Sequence, residues 1–218
     1  RNEQGMVHAA AAYAKTTNRL STWMCTSSIG PGSLNMVTGA ALATTNRLPV
    51  LLFPSDQFAT RFPDPVLQQV EDPVSPMTAA TDCFRPVSRF FDRIERPEQL
   101  IPSLLAGLRV LTDPVDTGAV TIALPQDVQA ESYDFPVEFF ARRVWHVRRP
   151  PAEAAAIERA AAIIRDARRP LVVAGGGVIY AEASKQLRAF ADATGIPVSD
   201  TQAGKGAINH DHPAAVGG

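Results

Sequence analysis

Cysteine is scarce. The 218-residue chain holds two, Cys25 and Cys83, far apart and without a CxxC partner. That excludes a disulfide scaffold and a zinc site built on thiolates, and makes a reducing cytoplasm the expected setting. An excess of charge is also missing, with 21 Lys and Arg against 22 Asp and Glu and a net charge of −1. Such a balance argues against nucleic acid or a membrane surface as a partner held by bulk charge. No apolar run is long enough to span a bilayer, and no basic-then-apolar start resembles a signal peptide. Short-period repeats and low-complexity tracts are absent. What is present, 45% hydrophobic and 20% charged residues, suits a globular chain with a sizeable core in one large or two small domains.

The chain opens at Arg1 without an initiator Met and stops at the turn signal Gly217-Gly218, so a piece of a longer chain is expected. Glu3 to about Lys15 sets Met6, Ala9, Ala10 and Tyr13 at helical spacing, with Asn2 as N-cap. Leu20 to Thr26 reads as a short buried strand, Ile29-Gly30-Pro31-Gly32 as a turn, and Ser33 to Thr44 as a helix rich in small residues. Pro49 to Pro54 is a continuous apolar run, the pattern of a strand covered on both faces. Arg61 to Val87 is broken by prolines and predicts loop with short helices. Pro97 to Leu111 predicts an amphipathic helix carrying Leu100, Leu104, Leu105 and Leu108 on one side, and Gly118 to Leu124 another buried strand. Alternating strands and helices imply parallel strands with crossover helices.

After Pro125 the texture changes. Glu131 to Pro151 mixes prolines, aromatics and the four arginines Arg142, Arg143, Arg148 and Arg149, and reads as a surface linker, although the basic cluster could also hold an acidic partner. A second unit follows. It has a helix over 152–166, a strand Pro170 to Ala174 ending in Gly175-Gly176-Gly177, a helix Ser184 to Thr194, and a strand opening at Ile196-Pro197-Val198. This is the start of a Rossmann-like domain.

Few residues point to chemistry by themselves. The glycine triplet invites a dinucleotide reading, but Tyr180 stands where the third glycine of that fingerprint is needed, and a tight strand-to-helix turn accounts for it. His210-Asp211-His212 lacks a third ligand and reads as exposed loop. Ser27 and Ser28 lack the preceding glycine of a nucleophile elbow, and Cys83 has no base beside it. There remain Glu3 at a helix start and the loop Thr26 to Asn35. A carboxylate at a helix N-terminus is ordinarily a favourable surface charge, whereas under a ligand it can share a proton with a ring nitrogen. A Gly-Pro-Gly turn lets a flat group approach the backbone.

Taken together, these segments carry a resemblance. Asn2-Glu3-Gln4-Gly5 followed by Ala10-Ala11-Ala12-Tyr13-Ala14 resembles the HEQG…A.GYA stretch of thiamine-diphosphate enzymes related to acetolactate synthase. TSSIGPGSLN, Thr26 to Asn35, resembles their TSGPG..N loop with one extra residue. Ala123-Leu124-Pro125-Gln126-Asp127-Val128 resembles the LPxDV ending of their pyrimidine-binding domain. Arg169-Pro170-Leu171 to Gly177 and Gly195-Ile196-Pro197-Val198 resemble their middle domain. Within the family, CTSSIGPGSLNMVTGAA, FPSDQFATRFPDPVLQQVE, and Phe84-Arg85-Pro86-Val87 through Phe91-Asp92-Arg93-Ile94 are similar to members that hydrolyse a C–C bond of a cyclic 1,2-dione in myo-inositol catabolism.

The resemblance implies an α/β fold in which a partial, parallel-sheet pyrimidine-binding domain (residues 1–135) is joined by a linker (136–151) to a partial Rossmann-like middle domain (152–218). It implies that Glu3 hydrogen-bonds the aminopyrimidine of thiamine diphosphate and favours the imino form that removes the thiazolium proton. Desolvation is then expected to raise the pKa of Glu3. Pro31, Gly32 and Asn35 would line the cofactor cleft, with Gln68 near the reacting centre. Mg²⁺ would be held by a GDG…N motif that this chain lacks, so no metal ligand is expected here. The resemblance further implies a small cyclic dione as substrate and a homodimer or homotetramer whose sites form between subunits. The piece alone is expected neither to bind the cofactor tightly nor to turn over. Other readings are an acetolactate-synthase-like carboligase or 2-oxo acid decarboxylase, a non-catalytic assembly module, and a nicotinamide-dependent oxidoreductase.

Overall fold

The computed structural model describes residues 2–72 and 74–218. It divides into two compact units, Arg1–Arg148 and Arg149–Gly218. In the first, α1 (Glu3–Thr16) is capped by Asn2, whose side chain accepts from the Gly5 N–H at 2.8 Å. It is followed by β1 (Met24–Ser27), α2 (Pro31–Asn35), α3 (Val37–Thr45) and β2 (Val50–Asp56). A 3-10 helix over Ala80–Val87 leads to β3 (Phe90–Arg93), α4 (Leu100–Leu111) and β4 (Ala119–Pro125).

The four strands form one parallel sheet in the order β1-β2-β4-β3. Its register pairs Met24 with Leu51 and Val50 with Ala119. Central strands β2 and β4 are buried almost without interruption, because helices cover both faces of such a sheet. Small residues bring the layers close. A Cβ on Gly39 of α3 would sit 2.6 Å from the Val7 side chain of α1, and one on Gly107 of α4 would sit 2.8 Å from Val120. Leu51, Ile94, Leu111, Val120, Ile122 and Val128 form the cluster beneath α4.

In several places the chain departs from the sequence reading. Leu20 to Trp23 is not strand, and β1 begins only at Met24. The expected turn at 29–32 ends two residues earlier than predicted, since proline at the first helical position starts α2 directly after Gly30. The expected helix over 33–44 is accordingly two helices meeting at Met36. Strand β3 was not anticipated.

The second unit contains α5 (Ala154–Asp166), β5 (Val172–Ala174), α6 (Gly176–Tyr180), α7 (Ser184–Thr194), β6 (Val198–Asp200) and β7 (Ala215–Gly217). Its parallel sheet runs β5-β6-β7 around Ala174, Ala191, Val198, Ala207 and Ile208. Of the glycine triplet only Gly175 lies between β5 and α6, while Gly176 and Gly177 open α6, a helix that the sequence reading missed, as it missed β7. His212 bonds Asp192 through Nε2 at 3.1 Å and accepts the Ala214 N–H at Nδ1. Among the described residues no helix is long and apolar enough to cross a membrane, and no group of three or more His, Cys, Asp or Glu is placed to hold a metal ion.

Candidate functional site

The carboxyl ends of β1 and β2, where ligands of open parallel sheets bind, lead into the loop that carries the candidate residues. Ser33, fully buried, fixes that loop by sharing its one hydroxyl proton between the carbonyl of Ser28 at 2.9 Å and that of Ser55, near the end of β2, at 2.8 Å. Gly30 caps α2 with φ of +56°, a conformation that side chains rarely adopt. A Cβ there would run into the backbone carbonyl of Gln68. Gly30 therefore lets the 66–70 segment lie against the loop.

Glu3 occupies the first turn of α1, half-buried, with its carboxylate turned toward α2. Asn35 Nδ2 donates to Glu3 Oε2 at 2.9 Å across 32 residues. The other oxygen, Oε1, faces Gly32: a Cβ there would lie 3.5 Å from it and collide with Ser28 Oγ, which packs where that side chain would be. The structure thus brings Glu3, Gly32 and Asn35 together. Pro31 is exposed at the first position of α2. Gln68 meets the loop only through its backbone carbonyl at Gly30, and is itself exposed with φ of +67°.

One electrostatic expectation is corrected. Asn35's hydrogen bond, together with Glu3's own N–H at the helix start, holds the Glu3 carboxyl below the usual range, and the opposing effect of desolvation is smaller. In this chain Glu3 is half-exposed and stabilised as the anion, so the burial that would raise its pKa is not supplied by these residues.

Two supports escaped the sequence reading. Asp127, quoted only as part of a motif, accepts from the Ala59 and Thr60 N–H groups and the Thr60 hydroxyl, each at 2.9 Å, and ties the loop after β2 to the end of β4. Burial works against its charge, but the hydrogen bonds from Thr60, Ala59 and Val128 outweigh it and hold its pKa low. Asp56, fully buried at the end of β2, pairs with Arg93 Nε at 2.7 Å and accepts from the Thr81 hydroxyl. Arg93 also reaches Asp82 at 3.2 Å. A buried Asp two residues beyond an apolar strand is the signal that could have found this network, but its arginine lies 37 residues away.

The family described as "Thiamine pyrophosphate enzyme, N-terminal TPP binding domain" matches residues 1–75, and "Thiamine pyrophosphate enzyme, central domain" matches residues 157–218. These two stretches carry the N-terminal and central domain sequence of thiamine pyrophosphate enzymes. The chain is similar over all its length to proteins named 3D-(3,5/4)-trihydroxycyclohexane-1,2-dione hydrolase, with 52% identity to that of Clostridium perfringens and 53% to that of Geobacillus thermodenitrificans. The protein of that name from Bacillus cereus is also 52% identical. The chain spans 34% of the length of each.

Proposed function

We propose that this chain forms part of a longer, thiamine-diphosphate-dependent hydrolase that opens the ring of 3D-trihydroxycyclohexane-1,2-dione to a 5-deoxyglucuronate. The observation that carries the reading is the Glu3 carboxylate, held by Asn35 at one oxygen and with the other beside Gly32. The identity of 52–53% to proteins named for that hydrolysis supports the choice of substrate.

The residues present fit the pyrimidine end of the cofactor. A carboxylate oxygen beside a residue without a side chain, 3.5 Å from where its Cβ would stand, suits a flat ring whose nitrogen exchanges a proton. When bound, thiamine diphosphate supplies a nucleophilic carbon that can attack a carbonyl and take up the electron pair of a breaking C–C bond. Glu3 would hold or pass the proton at the ring nitrogen. Gly30, Pro31 and Gly32 would set how closely the ring can lie, and Ser33 keeps their loop fixed to β2. In the overall reaction the bond between the two carbonyl carbons breaks and one water is consumed. Its hydroxyl becomes part of the new carboxylate, and its hydrogen ends on the other carbon.

In this reading residues 1–135 are pyrimidine-binding domain, 136–151 linker and 152–218 the start of the middle domain. Mg²⁺ and the diphosphate would be held by a further domain of the parent enzyme, a cytoplasmic homodimer or homotetramer. Gln68 would lie near the reacting centre. The test is the full-length enzyme with thiamine diphosphate and Mg²⁺, given the cyclic dione or pyruvate. Ring opening of the dione without carbon dioxide release from pyruvate is expected. Carbon dioxide from pyruvate and no action on the dione would overturn the reading in favour of a decarboxylase or carboligase.

A further inference from the structure

Asn35 does more than line a cleft. A glutamate carboxylate turns easily about its last torsion and presents either oxygen equally well. The donor at 2.9 Å from Oε2 breaks that symmetry. It comes from the last residue of α2, whose position is set by the Leu34 N–H bonding the Gly30 carbonyl and by the two bonds of buried Ser33. The acceptor begins α1, so two separately anchored elements meet at this bond. The other oxygen, Oε1, lies on the side of Gly32, 3.5 Å from where a Cβ there would stand.

We propose that Asn35 is a positioning residue that acts through Glu3, committing Oε2 and leaving Oε1 as the oxygen that meets the cofactor's ring nitrogen. With Oε2 already accepting, a proton carried by the carboxyl resides on Oε1, on the side where the ring would lie. The inference rests on the reading of Glu3 as the cofactor's carboxyl partner.

The experiment is a double-mutant cycle in the full-length enzyme, comparing wild type with Asn35→Ala, Glu3→Ala and the double variant. The main readout is the dissociation constant for thiamine diphosphate with saturating Mg²⁺, and the second is the split between kcat and KM for the dione. Loss of one hydrogen bond to a charged group should weaken cofactor binding about ten- to a hundredfold. At saturating cofactor kcat should fall, while KM for the dione stays unchanged. In the Glu3→Ala background, Asn35→Ala should cost less than about twofold more, because the group through which it acts is gone. Asn35→Leu keeps the size and loses the donor; it should bind the cofactor as poorly as Asn35→Ala and guards against a folding defect of the latter. Two results would overturn the inference. One is wild-type binding and kcat in both Asn35 variants alongside a defective Glu3→Ala. The other is a full Asn35→Ala penalty in the Glu3→Ala background, the mark of a general structural effect. Wild-type behaviour of Glu3→Ala itself would instead refute the role of Glu3, and the inference with it.

Discussion

Asp127→Ala removes a carboxylate that fastens the loop after β2 to the far end of β4. Three bonds of 2.9 Å are lost to Ala59 and Thr60, which lie 68 and 67 residues away, together with the 3.0 Å bond to the Val128 N–H. Ala59 is half-buried and Thr60 exposed, so the released donors can turn to water. Each bond is therefore worth less than the ~1.5–3 kcal/mol of a sheltered charged one, and the loss sums to about 2–3 kcal/mol. At about 2–4 °C per kcal/mol for a chain of this size, the melting temperature should fall by about 4–12 °C. The effect carries a pH signature. Because the folded pKa of Asp127 is depressed, its contribution is fully present above the unfolded value of about 3.9. It fades as pH falls through the lower folded value. Equilibrium unfolding of both proteins at neutral and acid pH is the assay. The gap between them should be largest near pH 7 and shrink in acid. A variant within about 0.5 kcal/mol of wild type at pH 7, or a gap that widens in acid, would refute the reasoning.

Arg93→Ala leaves the fully buried Asp56 without its cation; it should cost about 3–5 kcal/mol in denaturant unfolding, and adding Asp56→Leu should restore part of that loss. Ser103 carries, among the described residues, a buried hydroxyl with no hydrogen-bond partner, so Ser103→Ala should raise stability by about 1 kcal/mol in the same assay. Gly30→Ala must place a Cβ against the Gln68 carbonyl at φ of +56°; a loss of about 2 kcal/mol or more is expected, with faster proteolysis of the 66–70 segment.

The parts of the fold that could be read from sequence were those with strong periodicity. The Asn2-capped helix, the apolar runs of β2 and β4 and the leucine stripe of α4 each announce themselves over seven or more residues. Shorter elements do not. Strand β3 is four residues of mixed character, Phe-Phe-Asp-Arg, which become strand only because the edge of β4 is available to pair with them. β7 is three residues paired to β6. At the site, Glu3 and the glycine-rich loop were found as separate features. Their joining through Asn35 spans 32 residues, and no local pattern records it. The error over the charge of Glu3 has the same origin, since the helix start and Asn35 outweigh the desolvation that these residues provide.

The most direct test of the central claim, that Glu3 passes the proton that activates the cofactor, is the rate of deuterium exchange at the thiazolium C2 position. It is measured by quenched-flow NMR in the full-length enzyme for wild type and Glu3→Gln. A well-placed proton-transfer group contributes about 10²–10⁴-fold, and exchange in the variant should slow by that much with the cofactor still bound. Exchange at the wild-type rate in cofactor-loaded Glu3→Gln would contradict the account.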